Sequence, residues 1–410
     1  MSGVTAGPGA WPETLDVQAL LGQGFRPVPF RQFVVKLTAR CDLACDYCYM
    51  FELADQGWRE RPGRMARSTV GRVAARIGDH VRHHGLARVA VVLHGGEPLL
   101  YGREGIAHVA TTLRAAVPAT ARLDLSIQTN GLRLDAAMLD VLAAHRIRVG
   151  VSVDGGQAAH DRHRRTADGR GSYDAVRSAV QLLRGRHPGL YGGLLCTVDL
   201  RNDPVTVLEH LTELEPPLID LLLPLASWAS PPPGVPDPGD AGRATPYGDW
   251  LAAVFDCWYP TGGTGPRIRF FDELMQLLLG GRSHTETIGL SPSAVVVVDT
   301  DGSVEQVDTL RAAYAGAASA GLSVTTAGLE EALTHPGIVA RQLGVDALCA
   351  TCRVCPVHTV CGAGYYPHRY RPGTGFLNPS VYCHDLQRII AHVRARVTTD
   401  LAAAHAGGPS

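Results

Sequence analysis

Three cysteines stand close together in the run Lys36-Leu-Thr-Ala-Arg-Cys41-Asp-Leu-Ala-Cys45-Asp-Tyr47-Cys48-Tyr49. This C-x3-C-x2-C spacing offers three thiolates, enough to ligate three irons of a [4Fe–4S] cluster and leave the fourth iron open to an outside ligand. A structural zinc site needs a closed set of four ligands, and no further Cys or His lies near enough to complete one. Tyr47 adds an aromatic residue just before the third cysteine. A second group follows much later, with Cys349, Cys352, Cys355 and Cys361 close together and Cys383 after a gap. The segment that carries it is poor in periodic apolar faces, so bound metal is expected to supply part of its folding energy. A zinc ribbon is the alternative there. Cys196 and Cys257 are expected to be reduced packing residues.

Further motifs fall at the ends of successive β-branched runs. Gly95-Gly96-Glu97-Pro98 ends the second, Gln128-Thr129-Asn130-Gly131 the third and Ser152-Val153-Asp154-Gly155 the fourth, with Arg164 shortly after. Glycines at such ends permit close approach of backbone to a ligand. Together with the cysteine triad, this order resembles the radical S-adenosylmethionine (SAM) superfamily. The resemblance implies a partial (β/α)6 barrel and a cluster whose open iron chelates SAM. Reductive cleavage of SAM would then give a 5′-deoxyadenosyl radical that abstracts a substrate hydrogen. It further implies that Gly95, Gly96 and Glu97 hold the SAM ammonium, and that Ser152 and Arg164 contact its ribose and carboxylate, with Arg162 and Arg165 as the alternatives to Arg164. Tyr47, Gln128, Asn130 and Asp154 complete the expected cofactor contacts.

The C-terminal cysteines resemble the SPASM extension of peptide-modifying radical SAM enzymes. By that resemblance Cys352, Cys355, Cys361 and Cys383 hold one auxiliary [4Fe–4S] cluster, with Cys349 a possible substitute ligand. A second auxiliary cluster is expected to be missing, because Val307 and Tyr365 stand where its cysteines would be. Asp308, beside the lost cysteine, keeps an acidic position and is the candidate catalytic carboxylate; capping a helix is its alternative role. The segments 30–61, 295–310 and 361–386 resemble the FxsB-type maturases, which include cyclophane (triceptide) synthases. Those enzymes act on ribosomally made precursor peptides and join an aromatic ring carbon to a nearby Cβ. An electron donor such as ferredoxin or flavodoxin is implied as well. Tyr365, Tyr366, His368 and Tyr370 either line a peptide groove or simply pack.

The elements that must position these residues are legible as periodicity. Runs at Phe33–Leu37, Val89–Leu93, Leu125–Gln128, Val149–Val153, Leu194–Val198 and Ile219–Leu223 read as strands. Helical stretches separate them, one capped by Ser68 and ending at Gly85, another starting at Ser172 and stopping before Gly185. Alternation of this kind implies parallel β/α units, either a doubly wound sheet or a full or partial barrel, with ligands at the C-terminal strand ends. The fold expected is α/β, a TIM-like partial (β/α)6 barrel followed by a SPASM-like iron–sulfur domain. Its divisions are an extension over 1–30, the barrel over 31–229, a loop and bridging helices over 230–290, the auxiliary-cluster domain over 291–400 and a tail over 401–410. Helices are expected at Tyr247–Trp258 and Phe271–Leu279, and a strand at Ala294–Val298.

Composition narrows the classes further. The 410 residues carry 38 Lys+Arg against 39 Asp+Glu, a balance of −1 that argues against a nucleic-acid or membrane-surface partner. Lys36 is the only lysine, which excludes a P-loop because no glycine-rich run precedes it. Neither a membrane-spanning run nor a secretory signal is read, so a cytoplasmic location is expected. The leading reading is a radical SAM cyclase forming intrapeptide crosslinks. Ether or thioether crosslinking, epimerisation and formylglycine-type oxidation are alternatives, and a non-catalytic iron–sulfur electron carrier is the reading from another class. An intact SAM site argues against the carrier.

Overall fold

A computed structural model of the chain describes residues 10–235 and 244–406. The β-branched runs form β1 (Gln32–Thr38), β2 (Arg88–Gly95), β3 (Arg122–Thr129), β4 (Ile147–Ser152), β5 (Tyr191–Thr197) and β6 (Leu218–Leu222). All are parallel and each lies beside its predecessor. A doubly wound sheet reverses its strand order at a switch point; this order never reverses, which selects the partial (β/α)6 barrel. Two-residue β7 (Arg267–Ile268) continues it past β6.

On the other side, β8 (Val295–Val298) pairs in parallel with β1. β9 (Ser303–Glu305) and β10 (Ser319–Ser323) then follow antiparallel. The segment after 291 therefore begins by widening the core sheet, and the ten strands form one open sheet.

Residues 10–30 are more ordered than a loose extension. They hold α1 (Val17–Gly22), with Ala10 and Val17 buried, and Trp11 bridges to Gly375. The barrel helices are α2 (Arg67–His83), α3 (Arg103–Ala116), α4 (Ala136–Ala144), α5 (Gln157–His163), α6 (Tyr173–Arg186) and α7 (Pro204–Glu213). Ser68 is not the cap of α2. Met65 N donates to Leu37 O and Thr38 bridges to Arg64, so the chain stays extended through Ala66 and turns helical at Arg67. Ser172 does precede α6, yet its side chain makes no capping bond, and Gly185 lies inside the helix.

Beyond the barrel come α8 (Pro246–Trp258), α9 (Arg269–Leu278), α10 (Leu329–Leu333), α11 (Pro336–Ala340), α12 (Ala350–Arg353), α13 (His358–Cys361) and α14 (Cys383–Ala406). The loop expected over 230–249 lies partly outside the described residues, and the rest of it enters α8 at Pro246. Leu386, Ile389, Ile390 and Val393 on α14 join the same apolar core as Trp250, Val254 and Phe255 on α8. Among the described residues no helix is long and apolar enough to cross a membrane.

Candidate functional site

Parallel pairing places the ends of β1–β5 along one edge, and the expected motifs gather there. The loop after β1 carries Cys41, Cys45 and Cys48; Cys48 N donates to Cys45 O at 3.1 Å, and Ala44 N to Arg165 O at 2.7 Å. The loop is locked against β2, where Gly96 N donates to Thr38 O at 2.8 Å and Glu97 N to Arg40 O at 2.9 Å. The role expected of the two glycines changes here. A Cβ on Gly95 would stand 2.3 Å from Thr38 O, and one on Gly96 2.2 Å from Arg40 O. The close approach they permit is to the cysteine loop's own backbone. Gly95 also has φ +126°, a conformation that favours glycine.

Glu97 is buried and accepts three bonds: from Leu99 N at 2.9 Å, Thr129 Oγ1 at 2.7 Å and Asn130 N at 2.8 Å. A carboxylate has about four acceptor sites, so three are committed, two of them joining β2 to the end of β3. Burial still pushes its carboxyl up to about 7 against those bonds. Asn130 reaches the cysteine loop, donating to Asp42 at 2.8 Å with Cys41 Sγ 3.6 Å away. Gln128 donates to Ser152 Oγ at 3.0 Å, tying β3 to β4.

Tyr47, Asp154 and Arg164 form a second knot. The Tyr47 hydroxyl donates to Asp154 Oδ2 and accepts from Arg164 Nη1 at 2.8 Å, while Thr197 N donates to Asp154 Oδ1 at 3.0 Å. Arg164 is 9% exposed, and its Nε has no partner among the described residues, while its guanidinium lies close enough to Cys45 to oppose the rise that burial imposes on that thiol, to about 11. A relay that the sequence reading missed holds this arginine. Ser172 Oγ donates to the Arg164 carbonyl at 2.7 Å, which leaves the hydroxyl to accept from His160 Nε2 at 2.9 Å. His160 Nδ1 is then the acceptor for Asp154 N at 3.4 Å. Only the short repeat of His and Arg at 160–164 hinted at it, and that reads equally as a solvated face.

The second cysteine group is also gathered. α12 carries Cys352, Cys355 follows it, α13 ends on Cys361 and α14 begins on Cys383. Gln387 Nε2 lies 3.8 Å from both Cys355 Sγ and Cys383 Sγ. Cys349 sits beside Cys352 with Leu290 and Leu348. Among the described residues no three of the cysteine sulfurs come within 4.8 Å of one another. A tetrahedral zinc site with Zn–S near 2.3 Å brings its sulfurs to about 3.8 Å; a cubane binds each thiolate to a separate iron and spaces them more widely. Arg369 adds a buried Nε without a partner beside this group, suited to an anionic cluster. Buried thiols such as Cys41 and Cys361, each pushed up to about 12 by loss of hydration, ionise readily only with metal in place of the proton.

Residues 35–198 match the Radical SAM superfamily. The chain carries a radical SAM domain. Its cofactors are a [4Fe–4S] cluster and SAM, and the orphaned Arg164 Nε at the strand ends fits an anionic group there. A cysteine-type anaerobic sulfatase-maturating enzyme of Clostridium perfringens is 25% identical over 287 residues, 68% of this chain and 74% of the relative. A serine-type enzyme of Bacteroides thetaiotaomicron is 24% identical over 297 residues, 68% and 69% of the two. The solved anSMEcpe structure with bound AdoMet superposes with a TM-score of 0.75 at 19% identity, covering 90% of this chain and 98% of that one. Streptococcus suis SuiB bound to its precursor peptide SuiA gives 0.57 at 13%, covering 89% and 78%. These two structures bear on the fold, which is shared across the radical SAM core and the C-terminal extension.

Beside the radical SAM core lies a buried charge network that the sequence did not announce. Lys36 on β1 is fully buried and contacts Glu305 at 2.6 Å, Asp299 at 3.7 Å and Asp308 at 3.9 Å. Arg311 binds Asp299 at 2.6 Å and Glu305 at 2.5 Å. Tyr49 donates to Asp308 at 2.8 Å, and His94, opposite Lys36 in the β1–β2 register, also faces it. Burial alone would raise the Asp308 carboxyl, but Lys36, His94 and Tyr49 together hold it below the usual carboxylate range. Asp308 opens a 3-10 turn, and its side chain faces this network and caps nothing.

Beside Asp308 lie Val307 and Tyr365, the two residues that stand where the resemblance implies cysteines. Val307 packs with Leu310, Tyr366, Tyr370 and Phe376 in a closed apolar cluster, and Tyr365 shares a 2.5 Å hydrogen bond with Thr309. Tyr366, His368 and Tyr370 are buried and pack, and Tyr366 also lines a small cavity beside Gly289, Arg341 and Arg369. Cys196 is buried as expected, whereas Cys257 is exposed and is no packing residue.

Proposed function

We propose that this protein is a radical SAM enzyme that modifies a ribosomally made precursor peptide, joining an aromatic ring carbon to a nearby Cβ. The observation that supports the reading is the pairing of a second cysteine group, Cys352, Cys355, Cys361 and Cys383, with a buried Asp308 held below the usual carboxylate range. At the two positions where the resemblance would put the cysteines of a second auxiliary cluster, Val307 packs in an apolar cluster and Tyr365 bonds to Thr309. One auxiliary [4Fe–4S] cluster on Cys352, Cys355, Cys361 and Cys383 follows from that pairing, with Cys41, Cys45 and Cys48 holding the SAM cluster. When bound, these groups supply hydrogen abstraction from Cβ and an acceptor for the electron released when the ring regains aromaticity.

The chain's own residues do the rest. Glu97 and Asn130 fix the cysteine loop against β2 and β3. Tyr47 and Asp154 aim Arg164 at the SAM carboxylate. The proton lost from the ring goes to Asp308. A carboxylate held below its usual range is a weak base, and that suffices for a cationic ring carbon, which is a very strong acid. Net change on the peptide is the loss of two hydrogens.

Coexpression with a candidate precursor, a short peptide with an aromatic-x-x motif near its C-terminus, followed by mass spectrometry, tests this. A loss of about two mass units per ring, with Cys41→Ala inactive, is the expected outcome; an unchanged peptide beside active SAM cleavage sinks it. Oxidation to formylglycine is the second reading, favoured by the names of the sulfatase-maturating relatives. It predicts an aldehyde that a hydrazide probe captures from a Cys- or Ser-containing sulfatase peptide.

A further inference from the structure

A cluster far from both cysteine groups has no part in this chemistry. His80 and His84 lie four residues apart at the C-terminal end of α2, and Glu330 reaches them from α10. His80 Nδ1 is 2.5 Å from Glu330 Oε1, and His84 Nε2 is 2.7 Å from Glu330 Oε2. The other nitrogen of His80, Nε2, faces the Phe30 carbonyl at 3.2 Å.

That last contact sets the problem. A carbonyl only accepts, so the neutral His80 ring carries its proton on Nε2. The Nδ1 lone pair is left pointing at a carboxylate oxygen, two acceptors face to face. A cation must lie between them. A proton is one choice, but the His80 and His84 rings are 4.6 Å apart and the His83 ring is 4.7 Å from His84. Charging the His80 ring alone would settle this contact, but His80 is fully buried between Phe30 and Phe33, which opposes it, and a second charge on His84 would be opposed by repulsion. One divalent ion would satisfy both nitrogens and the carboxylate at once, and the helix C-terminus favours positive charge.

We infer that His80, His84 and Glu330 form a binding site for a divalent transition cation of the zinc type, which ties α2 of the barrel to α10 of the extension. Two imidazoles and a carboxylate suit zinc, with water in the fourth position. Metal–ligand bonds of about 2.0–2.2 Å set nitrogen–oxygen separations near about 3.3 Å. Glu330, whose side chain is 41% exposed, has only to withdraw by under about 1 Å to admit the ion. Phe30 precedes β1 and α2 leads into β2, so the site lies at the N-terminal end of the strands, opposite the cysteine loop. Its role there is structural.

The test uses the full chain with its iron–sulfur clusters reconstituted anaerobically, given one equivalent of zinc chloride and then desalted. We expect one zinc per chain, a zinc-edge EXAFS first shell of nitrogen and oxygen only, and a raised unfolding temperature. His84→Ala and Glu330→Gln change partly exposed side chains, so both should fold and keep their iron while zinc affinity falls at least tenfold. His83→Ala should bind zinc as the parent does. Sulfur in the zinc shell, no zinc retained, or parent-like affinity in both ligand variants would overturn the proposal.

Discussion

The residues that organise this site are mostly not the ones that would touch a ligand. Glu97 spends three of its acceptor positions within the protein, two of them at the end of β3, and Arg164 is held through its carbonyl by Ser172 and, through Ser172, by His160. His160 is the residue whose contribution pH should expose. Burial, with the nearby Arg164 adding to it, lowers its pKa to about 3 from the ordinary 6.5. The folded-state value is depressed, so between 6.5 and 3 the unfolded chain binds a proton that the native chain refuses. Stability from the neutral ring is therefore complete above pH 6.5 and lost as pH falls through that window, by up to about 1.4 kcal/mol per pH unit for one proton. Urea unfolding of His160→Gln should show a shallower pH slope than the parent between pH 6.5 and 4. Identical slopes would mean that the ring is protonated in the native state.

Between strands, the decisive contact is the one β2 makes with the loop after β1. Gly96 is its tightest point, because the Arg40 carbonyl occupies the place of a Cβ and Phe51 lies 2.8 Å from it as well. The Phe51 ring is a side chain that can turn aside, but the Arg40 carbonyl cannot yield without moving the backbone just before Cys41. Gly96→Ala should therefore displace the cysteine loop, costing iron at the SAM cluster before it costs the fold. Anaerobic reconstitution should give the variant about four fewer irons per chain than the parent, with far-UV circular dichroism unchanged. Gly71, inside α2, supplies the contrast: a Cβ there meets nothing within 4 Å. Gly71→Ala should raise stability by about 0.5–1 kcal/mol through helix propensity alone, read as a shift in the urea midpoint with iron unchanged.

For the molecule as a whole, what could be read from the sequence was what has a local signature. Six strands announced themselves as β-branched runs, and the cysteine triad, Glu97, Asn130 and Arg164 as motifs at their ends. The pairing of β8 with β1 was hidden, since no local pattern sets a register between segments some 260 residues apart. Lys36 appeared only as a lone lysine, because its partners Asp299, Glu305 and Asp308 meet it only after that pairing. The same pairing governs the last prediction. It brings Val307 against Tyr366, Tyr370 and Phe376, so the place that the resemblance gives a second auxiliary cluster is packed with side chains in this chain and has valine and tyrosine at the cysteine positions. If absent thiols were the whole cause, Val307→Cys with Tyr365→Cys would start to recruit a third cluster. Packing says otherwise: a cluster would have to displace several buried aromatic rings, each loss of the kind that costs about 3–5 kcal/mol. The double variant should hold about eight irons, like the parent, and unfold more easily for the apolar volume it loses at Val307 and the Thr309 hydrogen bond it loses at Tyr365. Cys383→Ala should fall to about four. Iron rising towards twelve in the double variant would show that the aromatic cluster yields, and that ligand loss alone separates this chain from enzymes with two auxiliary clusters.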